Sequence, residues 1–492
     1  MESIWSKTQT KKTFPVLKEN RTVQAVVIGG GMAGILTAFH LQKRGIQTIV
    51  LEAAEVGGRQ TRNTTAKITS QHNLIYDKLI TSFGKEKAKQ YAAANEAAIQ
   101  TYKRIVREEG IDCFFEERPA YLYSKNAKDR EKLKREVSSA LSLGISAEFA
   151  EWTELPFSTA GAVKFNHQAQ FHPLHFLMAL AEKLEIFEHT KVLSFEKQQV
   201  VTEHSIITAD YIVFACHFPF VNFPGLYFAR MHQERSYIIA LQNAIPLTGM
   251  YLGIDTDALS FRSFQDLLLL GGGSHRTGEN SMGGQYNFLS HKGKQLFPQS
   301  QEILRWSAQD CLTLDGVPYI GQFSHSTPDW YVATGFGKWG MTGSMVAAQL
   351  IADSITGKTN SNAEVFSPLR FTPAASVKKF CSGMKHSVKG IGRKVFFSPK
   401  QEWNQLSTGK GGIVQYKGEK VGAYRDEENH IYLVTVKCPH LGCQLEWNPD
   451  EKSWDCPCHG SRFDYKGKLL DNPAQTDLKG KTNGKEKSQE ES

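Results

Sequence analysis

A glycine-rich turn between two apolar runs is the feature that most constrains the fold of this chain. Residues 22–52, TVQAVVIGGGMAGILTAFHLQKRGIQTIVLE, predict a strand, a turn, a helix and a second strand. Gly29, Gly31 and Gly34 form G-x-G-x-x-G at the turn, and Glu52 ends the second strand. The first glycine permits the tight turn, the second lets a pyrophosphate approach the backbone, and the third lets the helix pack on the strand. Because a carboxylate at this position can accept ribose hydroxyls, the segment predicts a dinucleotide-binding α/β fold.

Charge and hydropathy exclude several classes of function. The formal net charge is +8, without a basic run interleaved with aromatic residues, so we expect no nucleic-acid partner. No run reaches the roughly 18 apolar residues of a membrane span, and the N-terminus lacks the apolar region of a secretory signal. We therefore expect a cytoplasmic protein with no transmembrane segment. In that reducing compartment, clustered cysteines are more often metal ligands than disulfides.

The 492 residues are enough for about three domains, and changes of composition divide the chain. Helical patterns lie near 74–108 and 127–142, and strand-like runs follow between 190 and 275. After residue 396, short alternating runs such as HIYLVTV are typical of a small antiparallel β domain. The predicted divisions are an N-terminal arm (1–21), a main nucleotide-binding domain (22–357), a linker (358–395), the small β domain (396–478) and a disordered tail (479–492).

The linker carries an amphipathic pattern. Val377, Phe380, Met384, Val388 and Ile391 recur at spacings of three and four, which is one face of a helix, and lysines lie off that stripe. A basic amphipathic helix can bind a membrane surface. A linker helix packed on its own protein is the interpretation that we favour.

Three further segments resemble the FAD-dependent D-amino-acid-oxidase-like family. GGRQTRNTTAKITSQH (57–72) is similar to the family's segment that returns to the flavin after the ribose acid. WSAQDCLTLDGVPYIG (306–321) is similar to its tryptophan-to-glycine signature, and ATGFGKWGMTGS (333–344) to its C-terminal flavin motif. The resemblance covers most of residues 22–357 in the family's order. It implies an oxidoreductase with FAD as its cofactor, a Rossmann-like FAD-binding domain and an interleaved β-sheet substrate subdomain. The residues that it adds to the FAD site are Thr64, Thr65, Ala66, Val192, Gly335, Gly337 and Gly340.

The sequence says less about the residues that contact the substrate. Amino-acid-oxidising relatives often place an arginine four residues after the signature tryptophan, where its guanidinium clamps the substrate carboxylate. Asp310 stands there in this chain, four residues after Trp306. This departure disfavours an α-amino-acid substrate and favours an amine or polyamine-like compound, whose cation an acid can hold. Alternatively, Asp310 is only a loop or cap residue. Tyr251 and Arg262 are weaker candidates for the substrate side.

Near the C-terminus, CPHLGCQLEWNPDEKSWDCPCHGSRF (438–463) holds six candidate metal ligands. Cys438-x-His440 and Cys456-x-x-His459 form two pairs, each on its own short loop. Zinc is one alternative, although zinc fingers usually keep like ligands together in each pair. One thiolate and one imidazole from each loop fit a two-iron cluster with Cys₂ on one iron and His₂ on the other.

The whole pattern resembles the Rieske [2Fe–2S] family, in the form found in cytochrome bc complexes. The resemblance implies that Cys438, His440, Cys456 and His459 hold the cluster. It also implies that Cys443 and Cys458 form a disulfide between the two loops, which a reducing compartment disfavours unless the bond is shielded.

Two residues near the second loop bear on the reduction potential. Ser461 matches the serine that hydrogen-bonds a bridging sulfide in high-potential relatives, whereas Phe463 replaces their hydrogen-bonding tyrosine. Since hydrogen bonds to the sulfurs stabilise the reduced cluster, we expect a potential below that of the respiratory complexes.

The combination of the two centres resembles bacterial FAD-dependent oxidoreductases with a C-terminal Rieske domain. We expect oxidation of a small, amine-type substrate at the flavin, with electrons passed singly through the cluster to an external one-electron acceptor. A non-catalytic electron carrier or redox sensor is one alternative. A reductase that runs electrons from the cluster to the flavin is another.

Overall fold

The computed structural model describes residues 2–9, 12–370 and 401–481. The chain forms two compact units. The first consists of Met1–Pro219, Ser236–Gly273 and Tyr286–Ala374, and the second of Phe220–Arg235, Ser274–Gln285 and Ala375–Ser492. Two segments from the middle of the chain therefore belong to the second unit.

Within the described residues the α-helices all belong to the first unit. They are α1 (Ile4–Thr8), α2 (Met32–Gln42), α3 (Gln60–Asn63), α4 (Tyr76–Phe83), α5 (Lys85–Glu108), α6 (Arg130–Ser142), α7 (Pro173–Ala181), α8 (Gln285–Leu296, whose first residue belongs to the second unit) and α9 (Gly340–Ile355).

The strands up to residue 334 form two sheets. They are β1 (Arg21–Ile28), β2 (Thr48–Leu51), β3 (Lys67–Ile68), β4 (Glu116–Ser124), β5 (Ala147–Ala150), β6 (Gly161–Gln170), β7 (Glu185–Phe187), β8 (Val192–Glu196), β9 (Gln199–Thr202), β10 (Ile206–Phe214), β11 (Met231–Gln242), β12 (Met250–Gly253), β13 (Ser260–Phe264), β14 (Leu267–Arg276), β15 (Gln301–Thr313), β16 (Tyr319–Ser324) and β17 (Thr327–Thr334).

The first sheet is the nucleotide-binding one. Its order is β16-β17-β10-β1-β2-β7, with β9 on β10 and β8 on β9. β1 pairs in parallel with both β10 and β2, in a register that sets Val27 opposite Val213 and Val50. Val27, Val50 and Val213 are fully buried, which explains why these strands are continuous apolar runs. The predicted strand–turn–helix–strand order of 22–52 is confirmed.

The second sheet supplies the interleaved subdomain. Its order is β15-β11-β14-β13-β12-β4-β6-β3, with β5 on β6. Most pairs are antiparallel, as between β13 and β14, where Phe261 faces Leu270. A core cluster of buried residues that includes Phe261, Leu270 and Tyr237 packs beside this sheet. The α/β fold with a β-sheet subdomain is therefore as predicted.

The predicted N-terminal arm and the start of the predicted linker both contribute buried residues to the first unit. In the N-terminal arm, Trp5 is fully buried and donates to the Thr64 carbonyl at 2.6 Å. At the start of the predicted linker, Val365 and Phe366 are buried, and the Arg370 guanidinium binds the Asp315 carboxylate at 2.8 Å. The amphipathic pattern over 377–391 lies outside the described residues.

The second unit contains the predicted small β domain. A three-stranded sheet holds β18 (Gly411–Tyr416), β19 (Glu419–Arg425) and β20 (Ile431–Thr435), and a four-stranded sheet holds β21 (Glu446–Asn448), β22 (Ser453–Asp455), β23 (Arg462–Asp464) and β24 (Leu469–Asp471). The strands of both sheets pair antiparallel, as predicted.

The first residues of the predicted disordered tail are hydrogen-bonded to the β domain. The Thr435 amide donates to the Lys479 carbonyl at 3.0 Å, and the Lys481 amide donates to Leu433 at 2.9 Å. Residues 479–481 are thus paired with β20, because the free edge of that strand needs backbone partners. Residues 482–492 lie outside the described part.

Across the described ranges, no helix combines the length and the hydropathy needed to cross a bilayer.

Candidate nucleotide site and metal centre

The glycine turn after β1 leaves no room for other residues at two positions. Gly29 has φ +115°, and a Cβ there would lie 2.5 Å from the Ala215 carbonyl oxygen. A Cβ on Gly34 would lie 1.8 Å from the Gly29 carbonyl oxygen. Gly31 caps α2, and a Cβ there would meet nothing closer than Thr61 Oγ1 at 3.4 Å. The helix N-terminus is therefore left open to an anionic group such as a pyrophosphate.

Glu52 follows β2 and turns its carboxylate back to the glycine turn. It accepts hydrogen bonds from the amides of Gly30 and Ala54, both at 2.8 Å. Burial raises the pKa of Glu52, and the two amide hydrogen bonds oppose that shift. The structure thus places a carboxylate beside the turn, as the predicted ribose contact requires.

The 64–66 segment is held by Arg262 from β13. Ala66 is buried at φ +53°, and its amide donates to Thr64 Oγ1 at 2.9 Å. The Arg262 guanidinium donates to the carbonyls of Thr65, Ala66 (3.1 Å) and Phe171 (2.8 Å). The geometry therefore favours a positioning role for Arg262, which the sequence offered as a weak substrate-side candidate.

Lys67, the next residue, was missed by the sequence analysis. Its ammonium donates to the Tyr251 carbonyl at 2.9 Å and to Ser260 Oγ at 2.6 Å. Burial, and to a smaller extent the charge of Arg262, lower the pKa of Lys67 to about 7. Its place directly after the 64–66 segment was the available signal, but a lysine in a strand usually points to solvent.

The segments that resemble flavin motifs come together at the start of α9. Gly335 and Gly337 have φ +73° and +56°, and Gly340 is the first residue of α9. The Gly337 amide donates to the Cys311 carbonyl at 2.8 Å, which joins 333–344 to 306–321. Thr342 Oγ1 donates to the Thr69 carbonyl at 3.0 Å, which joins 333–344 to 57–72.

The remaining predicted residues lie on three different strands. Asp310 is half-buried within β15, so it is neither a loop nor a cap residue, and it precedes the residue that binds Gly337. Tyr251 in β12 is buried, and its hydroxyl donates to Glu154 at 2.9 Å. Val192 begins β8 and is buried. Together, the tight glycine turn, the Glu52 carboxylate and the buried 64–66 segment fit an FAD dinucleotide.

The metal-ligand candidates lie on two loops of the second unit. Cys438 and His440 follow β20, and Cys456 and His459 lie between β22 and β23. The two imidazole centroids are 4.9 Å apart. A hydrogen bond between the two thiols lowers the pKa of Cys438 to about 7 and raises the pKa of Cys456. The structure therefore brings these four residues together.

A disulfide joins the two loops. Cys443 and Cys458 are bonded, with a Cα–Cα distance of 6.6 Å. The sulfurs of Cys443, Cys456 and Cys458 lie within 4.8 Å of one another, which resembles a zinc thiolate set. Since two of those sulfurs form the disulfide, two thiols and two imidazoles remain as donors.

The imidazoles are in the form that binds metal. Burial lowers the pKa of His440 to about 4 and is the main cause that lowers the pKa of His459 to about 3, so both are neutral. His440 Nδ1 is buried and has no hydrogen-bond partner within the described residues, whereas its Nε2 bonds to Asn222 Oδ1 at 2.8 Å. A buried ring nitrogen without a partner is costly unless it binds a metal. The donor set therefore fits a Rieske [2Fe–2S] cluster.

Residues far away in sequence support the second loop. Gln233 Nε2 donates to the His459 carbonyl at 2.7 Å and to the Asn472 carbonyl at 3.0 Å. Gly460 has φ +84°, and a Cβ there would lie 2.6 Å from Cβ of Gln233. The Arg276 guanidinium donates to the Pro457 carbonyl at 3.2 Å. No motif surrounds Gln233 or Arg276, so their role was not predictable from the sequence.

Ser461 and Phe463 both lie beside candidate ligands of the cluster. Ser461 hydrogen-bonds the Cys438 thiol, and its Oγ accepts from the Ala474 amide at 2.9 Å. Phe463 is fully buried in the apolar cluster that also contains Cys438 and Cys456.

Comparisons with known proteins agree with this geometry. The family "FAD dependent oxidoreductase" (DAO) matches residues 24–354, and the family "Rieske [2Fe-2S] domain" matches residues 398–481. YhfW of Bacillus subtilis (strain 168), which is named a Rieske 2Fe-2S iron-sulfur protein, is 38% identical over 97% of both chains. The cytochrome b6-f complex iron-sulfur subunit 2 of Trichormus variabilis is 50% identical over 46 residues, which are 9% of this chain and 26% of that one.

Solved structures share the fold of the larger part of the chain. Glycine oxidase from Geobacillus kaustophilus aligns with a TM-score of 0.61 at 18% identity, over 72% of this chain and all of that one. L-proline dehydrogenase from P. horikoshii aligns with a TM-score of 0.60 at 18% identity, over 72% of this chain and 98% of that one. At this identity the likeness concerns the fold.

Proposed function

Because the chain belongs to the DAO family of FAD-dependent oxidoreductases and carries a C-terminal Rieske [2Fe–2S] domain, we propose that it is a dehydrogenase for a small, amine-type substrate. FAD supplies a two-electron acceptor for a hydride from a C–H bond beside nitrogen, and a [2Fe–2S] cluster carries one electron at a time. In this proposal the electrons leave singly, through the cluster, to an external acceptor.

One observation carries the proposal: a single chain holds both the glycine cradle with Glu52 and a set of two thiols with two neutral imidazoles. We assign Cys438, His440, Cys456 and His459 as the cluster ligands. The FAD site is assigned to the residues Gly29, Gly31, Gly34, Glu52, Thr64, Thr65, Ala66, Val192, Gly335, Gly337 and Gly340.

The amine-type substrate is proposed from Asp310. Its position in β15, one residue before the carbonyl that binds Gly337, supports a location beside the flavin motif. A half-buried carboxylate there can hold the ammonium of a substrate. It would repel the carboxylate of an α-amino acid, so we expect amino acids to be poor substrates.

A substrate panel under anaerobic conditions tests the proposal. Secondary amines, polyamines and amino acids are mixed in turn with the purified holoprotein, and flavin absorbance is followed. We expect an amine to bleach the flavin. If no compound does so while an external reductant reduces both centres, the chain is an electron carrier or redox sensor instead.

Two variants test the role of Asp310. Asp310→Asn should weaken the binding of a cationic substrate about tenfold, since an ion pair in a half-buried site is worth about 1 kcal/mol or more. Asp266→Asn, an exposed acid at the β13–β14 turn, is the matched control. If Asp310→Asn and Asp266→Asn have equal KM values for the amine, Asp310 does not bind the substrate cation. The external acceptor and the cytoplasmic location stay predictions from the sequence.

A further inference from the structure

The His440 side chain is held from a distant segment of the second unit. Asn222 Oδ1 lies 2.8 Å from His440 Nε2, although the two residues are 218 positions apart. Asn222 is itself fixed, since its carbonyl accepts from the Leu226 amide at 3.1 Å. With Nε2 as donor to Asn222, the lone pair of the imidazole lies on Nδ1, the buried nitrogen that has no partner within the described residues.

The same segment places one aromatic ring against both imidazoles. The Phe228 centroid lies 6.3 Å from that of His440 and 5.8 Å from that of His459. The planes meet at 77° and 90°, so the contacts are edge-to-face.

The segment is also anchored beneath the second loop. Gln233, which follows Phe228 in the chain, is buried and donates to the carbonyls of His459 and Asn472. Residues 222–233 therefore contact His440 through its ring, and His459 through its ring and its backbone.

We propose that residues 222–228 form an internal cap over the imidazole edge of the centre, in which Asn222 is the positioning residue for His440. The Asn222 amide oxygen holds His440 in the tautomer that presents Nδ1 to iron. Asn222 occupies His440 Nε2 and Phe228 lies against both rings, so an external electron acceptor does not approach through His440 Nε2. This inference rests on the proposed ligand set, in which His440 and His459 bind iron.

Acylation of imidazole by diethyl pyrocarbonate tests the cap in the holoprotein. With Nδ1 on iron, Nε2–H of His440 can be acylated only after it loses its proton, so the reaction is run at alkaline pH on the oxidised protein, where the cap still covers this nitrogen. His430 is an internal reference in the same unit, because its side chain is 72% exposed. Peptide mass spectrometry gives both rates from one sample, and we expect His440 to react more slowly than His430.

Variants separate positioning from general support. Asn222→Ala should raise the His440 rate about fivefold, as expected for loss of one neutral hydrogen bond, and should leave the His430 rate unchanged. It should also raise the midpoint potential and shift the EPR signal, because an acceptor on Nε2–H makes the imidazole a stronger donor to iron. Asn222→Asp keeps an acceptor oxygen and should retain the protection. Asn404→Ala, at an exposed asparagine of the second unit outside the cap, is the matched control.

The outcomes decide the proposal. Equal rates for His440 and His430 in the wild-type protein would overturn it, and that comparison does not depend on any variant folding. An Asn222→Ala protein with an unchanged His440 rate and EPR signal would overturn it as well. The absence of a Rieske EPR signal from the wild-type protein would instead refute the proposed cluster, so the two failures are distinguishable.

Discussion

At the scale of single residues, Phe463 bears on the reduction potential. It is fully buried, and it pairs with Trp454 across the β22–β23 ladder. A phenyl ring offers no donor to a cluster sulfur, whereas the tyrosine of the resembling high-potential family does. Phe463→Tyr should therefore raise the midpoint potential by about 40 mV, the equivalent of one hydrogen bond of about 1 kcal/mol for a one-electron couple.

A redox titration monitored by EPR measures that change. Phe463→Leu, which keeps an apolar side chain and adds no donor, is the control and should leave the potential near the wild-type value. A wild-type potential equal to that of the respiratory complexes would contradict the account of Phe463.

The buried Lys67 side chain should make the stability of the protein depend on pH. Its pKa is about 7 in the folded protein, mainly because of burial, and its ordinary value is 10.5. Between these values the unfolded chain binds a proton that the folded protein releases, so stability rises with pH across this window. Lys67→Met removes this contribution, and the wild-type protein should gain stability relative to the variant from about pH 7 to about pH 9.

The thermal release of flavin, followed by its fluorescence, reports this difference in the first unit. Lys103→Met is the control, since Lys103 is 51% exposed and pairs with Glu117 at the surface. A constant difference between the wild-type and Lys67→Met proteins across the pH range would show that Lys67 keeps an ordinary pKa.

The sequence identifies residues that lie in motifs and misses those that act across the chain. Cys438, His440, Cys456 and His459 lie in two short loops whose pattern resembles the Rieske family, and that resemblance implies the ligand set. Asn222 acts through a single long-range hydrogen bond, which leaves no local pattern.

At the scale of elements, the glycine turn before α2 is the most sharply constrained. A methyl group on Gly34 would lie 1.8 Å from the Gly29 carbonyl, and that oxygen belongs to the backbone and cannot move aside. Gly34→Ala should push α2 away from β1, at a cost of about 1–3 kcal/mol, and should abolish FAD binding. The ratio of flavin to protein absorbance measures the loss.

Gly271→Ala is the matched control for that substitution. Gly271 lies in β14, and an added Cβ would meet its nearest atom at an ordinary 3.5 Å. We expect this variant to retain FAD. An FAD-loaded Gly34→Ala protein would mean that the turn is looser than its contacts imply.

Helices and strands with a regular hydrophobic pattern were predictable from the sequence. The residues against which they pack were not. The helical pattern of 74–108 is real, but it is split into α4 and α5 at Gly84, whose φ of +82° interrupts the helix. Trp5 belongs to a short helix in a polar N-terminal stretch, and no local pattern predicts its burial or its hydrogen bond to the Thr64 carbonyl.

At the scale of the whole molecule, the assignment of 220–235 and 274–285 to the second unit could not be predicted. Both segments continue strands of the antiparallel sheet, so their sequence looks like ordinary strand and loop. What places them with the β domain is a set of side-chain contacts, such as that of Arg276 with the Pro457 carbonyl. Contacts of this kind lie between residues about 180 positions apart, where periodicity carries no information.

The division into two units predicts that the two redox functions can be separated. The first unit has its own extensive core and contains the whole proposed FAD site, whereas Cys456 lies in the second unit. Cys456→Ser should therefore abolish the cluster and its EPR signal and leave FAD bound and reducible by substrate. Without the one-electron carrier, reoxidation of the flavin by a one-electron acceptor such as ferricyanide should slow by at least about tenfold.

Stopped-flow absorbance at the flavin band measures this rate, and Cys113→Ser, at a buried thiol of the first unit, is the control. If Cys456→Ser passes electrons as fast as the wild-type protein, the flavin discharges directly to the acceptor and the cluster serves another role.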